Sequence, residues 1–195
     1  RVRYPRDLAH QGAHDLFGHP LLPSEIRFGS GLQPGTPPSW QRDAYPLLNA
    51  RDSNTRAAAA SALGASNDPD AIARLCDGLE GHDVPRENDY DVRRAMVNAL
   101  GAARTLPPDA PLRQRVVGVL QRATRFEQNS GVRRAAANTL DALGRNPESA
   151  TPEERANYHA AKWQWREVAQ LGGEGLEVLS WGVAHWDIPQ DVDGL

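Results

Sequence analysis

Two histidines four residues apart, His10 and His14 in "RDLAHQGAHDLFGHP", have Asp15 and His19 close behind them. Histidines at i and i+4 share one helix face, where two imidazole nitrogens can hold zinc. The glutamate of a His-Glu-x-x-His site is missing, so a capping or surface helix without metal is expected. Cys76 is the sole cysteine, which excludes an intrachain disulfide and a cysteine-cluster zinc site. It shares a helical face with Ile72, Leu75 and Leu79, the setting of a small buried hydrophobe. The loop "EGHDVPRENDYD" gathers Glu80, Asp83, Glu87, Asp89 and Asp91. Calcium needs several convergent oxygens and often a glycine-assisted turn, and Asp89-x-Asp91 alone falls short. A solvated acidic loop is expected, with Asp91 capping the helix that follows.

Nucleophilic and phosphate chemistry leave no trace either. The chain has no Gly-x-Ser-x-Gly elbow, no Gly-x-x-x-x-Gly-Lys loop and no dinucleotide fingerprint. No enzyme, catalytic residue, cofactor or metal is therefore expected. Binding chemistry is more visible. Arg94 and Asn98 lie one helical turn apart, and Arg134 with Asn138 repeats the pair about 40 residues later, whereas Ala57 and Ser61 hold those places upstream. Arginine beside a carboxamide suits the carboxylates and backbone carbonyls of an acidic segment. A second ligand class is suggested between residues 104 and 134. There Arg104, Arg113, Arg115, Arg122, Arg125, Arg133 and Arg134 face only Asp109 and Glu127, a stretch that could meet nucleic acid phosphates. Acids outnumber bases in residues 146–195, and the basic stretch lacks aromatic stacking platforms. Protein is the preferred partner and nucleic acid the alternative.

These residues are carried by a helix written three times: "NTRAAAASALGAS", "DVRRAMVNALGAA" and "GVRRAAANTLDALG". Apolar residues recur at i, i+3, i+4, i+7 and i+8, the stripe of an amphipathic helix. The stripes are Thr55, Ala58, Ala59, Ala62 and Leu63; Val92, Ala95, Met96, Ala99 and Leu100; Val132, Ala135, Ala136, Thr139 and Leu140. Their small side chains allow close helix approach. Gly64 and Gly101 are expected as C-terminal caps with positive φ, and the third helix runs on to Gly144. A further apolar segment precedes each copy: a short one with Tyr45, Leu47 and Leu48, then Ile72 to Leu79, then Leu112 to Ala123. The unit is helix, turn, helix with a period near 40, which indicates an all-α solenoid of stacked antiparallel helix pairs.

"DVRRAMVNALG" and "TRAAAASALG", together with "PDAIARL", resemble HEAT repeats of the bacterial phycobilisome-lyase-like type over about residues 45–144. The resemblance implies that the second helix of each pair lines a concave surface. That would set Arg94, Asn98, Arg134 and Asn138 on the partner-binding face. It also implies that Arg56, Arg93 and Arg133, which recur at one position, are structural arginines paired with an acid in the adjoining turn. HEAT relatives include iron-binding deoxyhypusine hydroxylases, but the His-Glu dipeptide of that activity is absent here. Bilin lyases act with partner subunits, and a lyase or chaperone-type accessory role is less favoured than a scaffold or regulatory module. HEAT-like alkylpurine DNA glycosylases keep the nucleic-acid alternative open.

Outside residues 45–144 the pattern changes. Residues 1–43 are expected to hold a short helix and a glycine- and proline-rich connection, "FGSGLQPGTPPSW". Residues 44–195 form the array, with repeats at about 45–64, 69–101 and 111–144. A diverged helix is expected at 151–171, opened by Thr151, Pro152 and a capping box to Glu154. Its stripe is Tyr158, Ala161, Trp165, Val168 and Ala169. Trp163 lies off that stripe, so it packs on the neighbouring repeat or serves an interface. Residues 172–195 resemble a partial repeat, so the chain is expected to be a piece of a longer array. The net charge of −3 gives no global attraction to nucleic acid or anionic membrane. No apolar run is long enough to span a bilayer, and a cytoplasmic location is expected. Lys162 is the only lysine among 22 basic residues, an arginine bias that suggests a GC-rich bacterial genome.

Overall fold

Five helix starts among the described residues are written by short acceptor side chains. Asp52, Asp68, Asp89, Asn129 and Thr151 each stand in extended backbone one residue before a helix and accept from an N–H of its first turn. These bonds satisfy amides that the helix leaves orphaned. The computed structural model describes residues 43–81, 87–145 and 150–185. The segment with His10, His14 and His19, the connection after it, Asp83 and residues 186–195 lie outside the described residues.

After a 3-10 turn at Pro46–Asn49, the described chain forms α1 (Ser53–Ala65), α2 (Pro69–Glu80), α3 (Tyr90–Ala99), α4 (Pro111–Phe126), α5 (Ser130–Ala142), α6 (Pro152–Ala161), α7 (Trp165–Gln170) and α8 (Gly173–His185). A 3-10 segment, Leu100–Thr105, extends α3. No strand occurs among the described residues. The helices stand in two layers: α1, α3 and α5 pack side by side, and so do α2, α4 and α6. Contacts of α1 and α3 with α2, and of α5 with α4 and α6, join the layers. Between them lie Leu63, Ile72, Leu75, Val92, Val97, Val116, Leu120 and Val132, all fully buried.

Several local expectations need correction. Asp89, not Asp91, caps α3: its carboxylate accepts from the N–H groups of Asp91 and Val92. Asp91 falls inside the first turn. On α1, Ala58 is exposed while Ala60 and Gly64 are buried, because α1 packs against α3 as well as α2 and its buried arc turns toward α3. Gly64 is no cap. It sits within α1, where an added Cβ would lie 2.7 Å from Ala99 Cβ and 2.9 Å from Ala99 O. The missing side chain is what lets α1 and α3 touch. Gly101 lies in the 3-10 segment, and positive φ falls instead at Asn67 (52°) after α1 and Gly144 (70°) after α5.

The single helix expected over 151–171 is two helices. Its capping box forms between Thr151 and Glu154, but α6 stops at Ala161. Trp163 takes φ 60°, its N–H donates to Ala160 O at 3.0 Å, and that of Gln164 donates to His159 O at 2.9 Å. Those two bonds close a Schellman motif. The chain then doubles back, and Val168 packs on Ala156 and Ala160 with Val178 of α8, forming a second, smaller core. Doubling back buries Val168 fully.

Candidate functional site

The outward faces of α1, α3 and α5 form one open groove of about 940 Å³. Ala57, Ser61, Gly64 and Ala65 line its α1 side, and Ala95, Ala99 and Ala142 continue this low floor. Small residues appear here because the three helices stack closely and each shows its shortest side chains at the seams. Polar groups stand above that floor. Arg94 and Asn98 on α3, Asn138 on α5 and Arg104 beyond α3 all line the groove and are exposed. Three of the four residues assigned to binding from sequence thus share one concavity.

Arg94 donates to Asp91 at 2.8 Å, with side chains 53% and 77% exposed. An ion pair in that much water contributes at most about 1 kcal/mol, so either group can be recruited by a ligand with little penalty. Arg134 is exposed one turn before Asn138 on α5. Its guanidinium lies over the Trp163 ring, 4.6 Å from the centroid. The fourth assigned residue therefore points along the same helix face toward the α6–α7 turn. Arg94, Asn98 and Asn138 gather in the groove, and Arg134 extends the line to an indole.

Arg56, Arg93 and Arg133 face the other way. Arg56 Nε donates to Glu87 at 2.7 Å, and its Nη1 donates to the Ala50 and Arg51 carbonyls. Arg93 repeats this one unit on: Nε donates to Glu127 at 3.1 Å, and Nη1 to the Glu87 carbonyl at 3.0 Å. Arg133 donates to the carbonyls of Glu127 and Gln128. Each arginine braces the loop before its own helix. In the first two units it also bonds a glutamate that stands two residues before the next unit's cap. Burial pushes the Glu87 carboxyl upward, but hydrogen bonds from Arg56 and the Asp89 N–H outweigh it and hold the group below its ordinary range.

The remaining arginines of residues 104–134 are mostly occupied. Arg113 donates to the Leu106 and Leu143 carbonyls. Arg115 bonds Asp77 and Glu80, Arg122 bonds Glu80, and Arg125 pairs with Glu153 at 2.5 Å. A charge excess along the sequence becomes, in space, a set of bridges between α4 and its neighbours. It also corrects the picture of a solvated acidic loop, since Glu80 and Glu87 both receive arginines. Sequence reasoning expected acids beside Arg56 and Arg93, and Glu87 and Glu127 are those acids. It missed the pairs of Arg115, Arg122 and Arg125 and the place of Arg104. A glutamate two residues ahead of a cap, seen at Glu87–Asp89 and Glu127–Asn129, was the signal that could have named the partners of Arg56 and Arg93.

No histidine or cysteine is among the residues that line the groove. Cys76 is fully buried in the core, and burial pushes its thiol up to about 12. Among the described residues no group of three or more His, Cys, Asp or Glu is placed to hold a metal ion. No described helix is long and apolar enough to cross a membrane.

Comparison with known proteins gives one finding. The family model described as the PBS lyase HEAT-like repeat matches residues 55–81, a span that takes in most of α1, the turn after it and α2. No curated protein and no solved structure matches the chain.

Proposed function

For this HEAT-like repeat protein, we propose a non-enzymatic role as a protein-binding scaffold or regulatory module, with a partner's acidic segment laid across α3 and α5. One observation carries the proposal: Arg94, Asn98 and Asn138 stand together in a single exposed groove, while the other recurring arginines are turned inward. Carboxamides at matching places on adjacent helices offer a donor and an acceptor each to an extended backbone. Arg94 and Arg104 supply charge for its carboxylates. Nucleic acid is the weaker alternative, because Arg113, Arg115, Arg122 and Arg125 already bond acids or carbonyls.

A photo-cross-linking side chain placed at Asn98 or Asn138, compared with one at exposed Asp70 on α2, tests this directly. After nuclease treatment, partner protein should cross-link from the two groove positions and not from Asp70. Equal labelling from Asp70, or a complex lost to nuclease, would overturn the proposal.

A further inference from the structure

Trp163 occupies a backbone position that a tryptophan has no conformational reason to fill. In the Schellman motif that ends α5, the corresponding left-handed residue is Gly144: its N–H donates to Asp141 O at 2.8 Å, and that of Arg145 to Leu140 O at 3.0 Å. Trp163 makes the same pair of bonds at the end of α6, also at positive φ. Glycine enters this region freely and asparagine tolerates it, whereas a bulky residue there is a genuine outlier. Strain retained at one residue points to a use for its side chain.

Trp163 is 39% exposed. Arg134 covers part of it at 4.6 Å, and Arg134 shares the exposed face of α5 with groove-lining Asn138. Tryptophan, tyrosine and arginine are the residues most enriched at interface anchors, and an anchor tends to pair with an anchor on the partner. An exposed indole face favours an aromatic one, which stacks or meets it edge-on. On the footing of the groove function above, we infer that Trp163 and Arg134 form an aromatic-recognising end pocket of the same docking surface. The partner is then an extended acidic segment that carries an aromatic side chain at the end lying over the α6–α7 turn. Charge complementarity favours this occupant, since Arg94, Arg104, Arg134 and Lys162 outnumber Asp91 and Asp141 along the path. Helices packed about 8–10 Å apart make the path from α1 to that turn roughly 25 Å, which about eight extended residues cover.

Three fluorescein-labelled peptides of about that length serve as probes, alternating glutamate with tyrosine, glutamate with alanine, and lysine with tyrosine. Anisotropy should show the glutamate–tyrosine peptide binding at least about tenfold tighter than glutamate–alanine, and the lysine peptide weakest. Trp163→Gly and Trp163→Asn both suit the left-handed backbone, and circular dichroism would verify their folding. Each should keep the binding of acidic peptides but lose the preference for tyrosine. Arg94→Glu should weaken both acidic peptides and leave the tyrosine preference in place.

A tyrosine preference surviving in both folded Trp163 variants would overturn the end pocket while leaving the groove standing. Undiminished binding in Arg94→Glu would overturn the groove itself. A wild-type protein that binds neither acidic peptide, or prefers the lysine one, would overturn both.

Discussion

Arg93 and Glu127 lie in one buried ion pair, with side chains only 5% and 6% exposed, that ties the start of α3 to the turn before α5. Removing one partner leaves the other charge buried beside Leu79, Val119 and Ala123 without its strongest counter-charge, with Glu80 and Arg122 also lining the same place. Breaking such a pair costs about 3–5 kcal/mol. Arg93→Ala and Glu127→Ala should each lower the unfolding free energy read from denaturant melts by that much, and the double variant by less than the sum. Simple additivity in the cycle would contradict a direct coupling. Acidic-peptide binding by the folded fraction should be unchanged, since neither group faces the groove.

The equivalent pair one unit earlier predicts a pH effect. The Glu87 carboxyl is held below its ordinary range in the folded protein, so its unfolded form binds a proton more readily. Its contribution to stability is therefore complete above the ordinary carboxylate range and disappears as pH falls through the depressed folded value. Wild type should melt higher than Glu87→Gln at neutral pH, and the two curves should converge in acid. A constant gap down to low pH would show that the charge of Glu87 is irrelevant.

Three glycines separate the demands of packing from those of conformation. Alanine at Gly64 must push α1 off α3, because its Cβ would sit 2.7 Å from Ala99 Cβ. Overpacking of this kind costs about 1–3 kcal/mol. At Gly144 there is space but φ is 70°, and alanine there costs about 1–2 kcal/mol. At Gly101 the nearest atom is 3.8 Å away and φ is ordinary, so alanine should be neutral or stabilising. Thermal melts of the three variants check the ranking. A Gly64→Ala protein as stable as wild type would contradict the close contact of α1 with α3.

The elements were legible in the sequence where one residue's type decided its conformation. The apolar intervals at Val92, Met96 and Leu100 placed α3, and Thr151 with Glu154 placed the start of α6. What could not be read was anything settled by a distant segment. Gly64 looked like a cap because its contact, Ala99, is brought to it only when α3 stacks on α1. Arg115 and Arg122 looked like a basic surface until α2 presented Asp77 and Glu80. The break at Trp163 was hidden because the apolar stripe continues through it, and the doubled-back packing of Val168 outweighs a straight helix. Arg94, Asn98 and Asn138 were legible as a repeated pattern, whereas Arg104 in the same groove belongs to no repeat position. The link from Arg134 to Trp163 joins two places that the sequence holds 29 residues apart.

The central claim, that the face of α3 and α5 binds an acidic segment, is tested most directly by Arg94→Glu/Arg134→Glu. Charge-assisted hydrogen bonds contribute about 1.5–3 kcal/mol each, so the double reversal should weaken the glutamate–tyrosine peptide by at least about tenfold. Both side chains are exposed, and the melting temperature measured on the same samples should stay nearly constant. Binding within about twofold of wild type by a fully folded double variant would contradict the account.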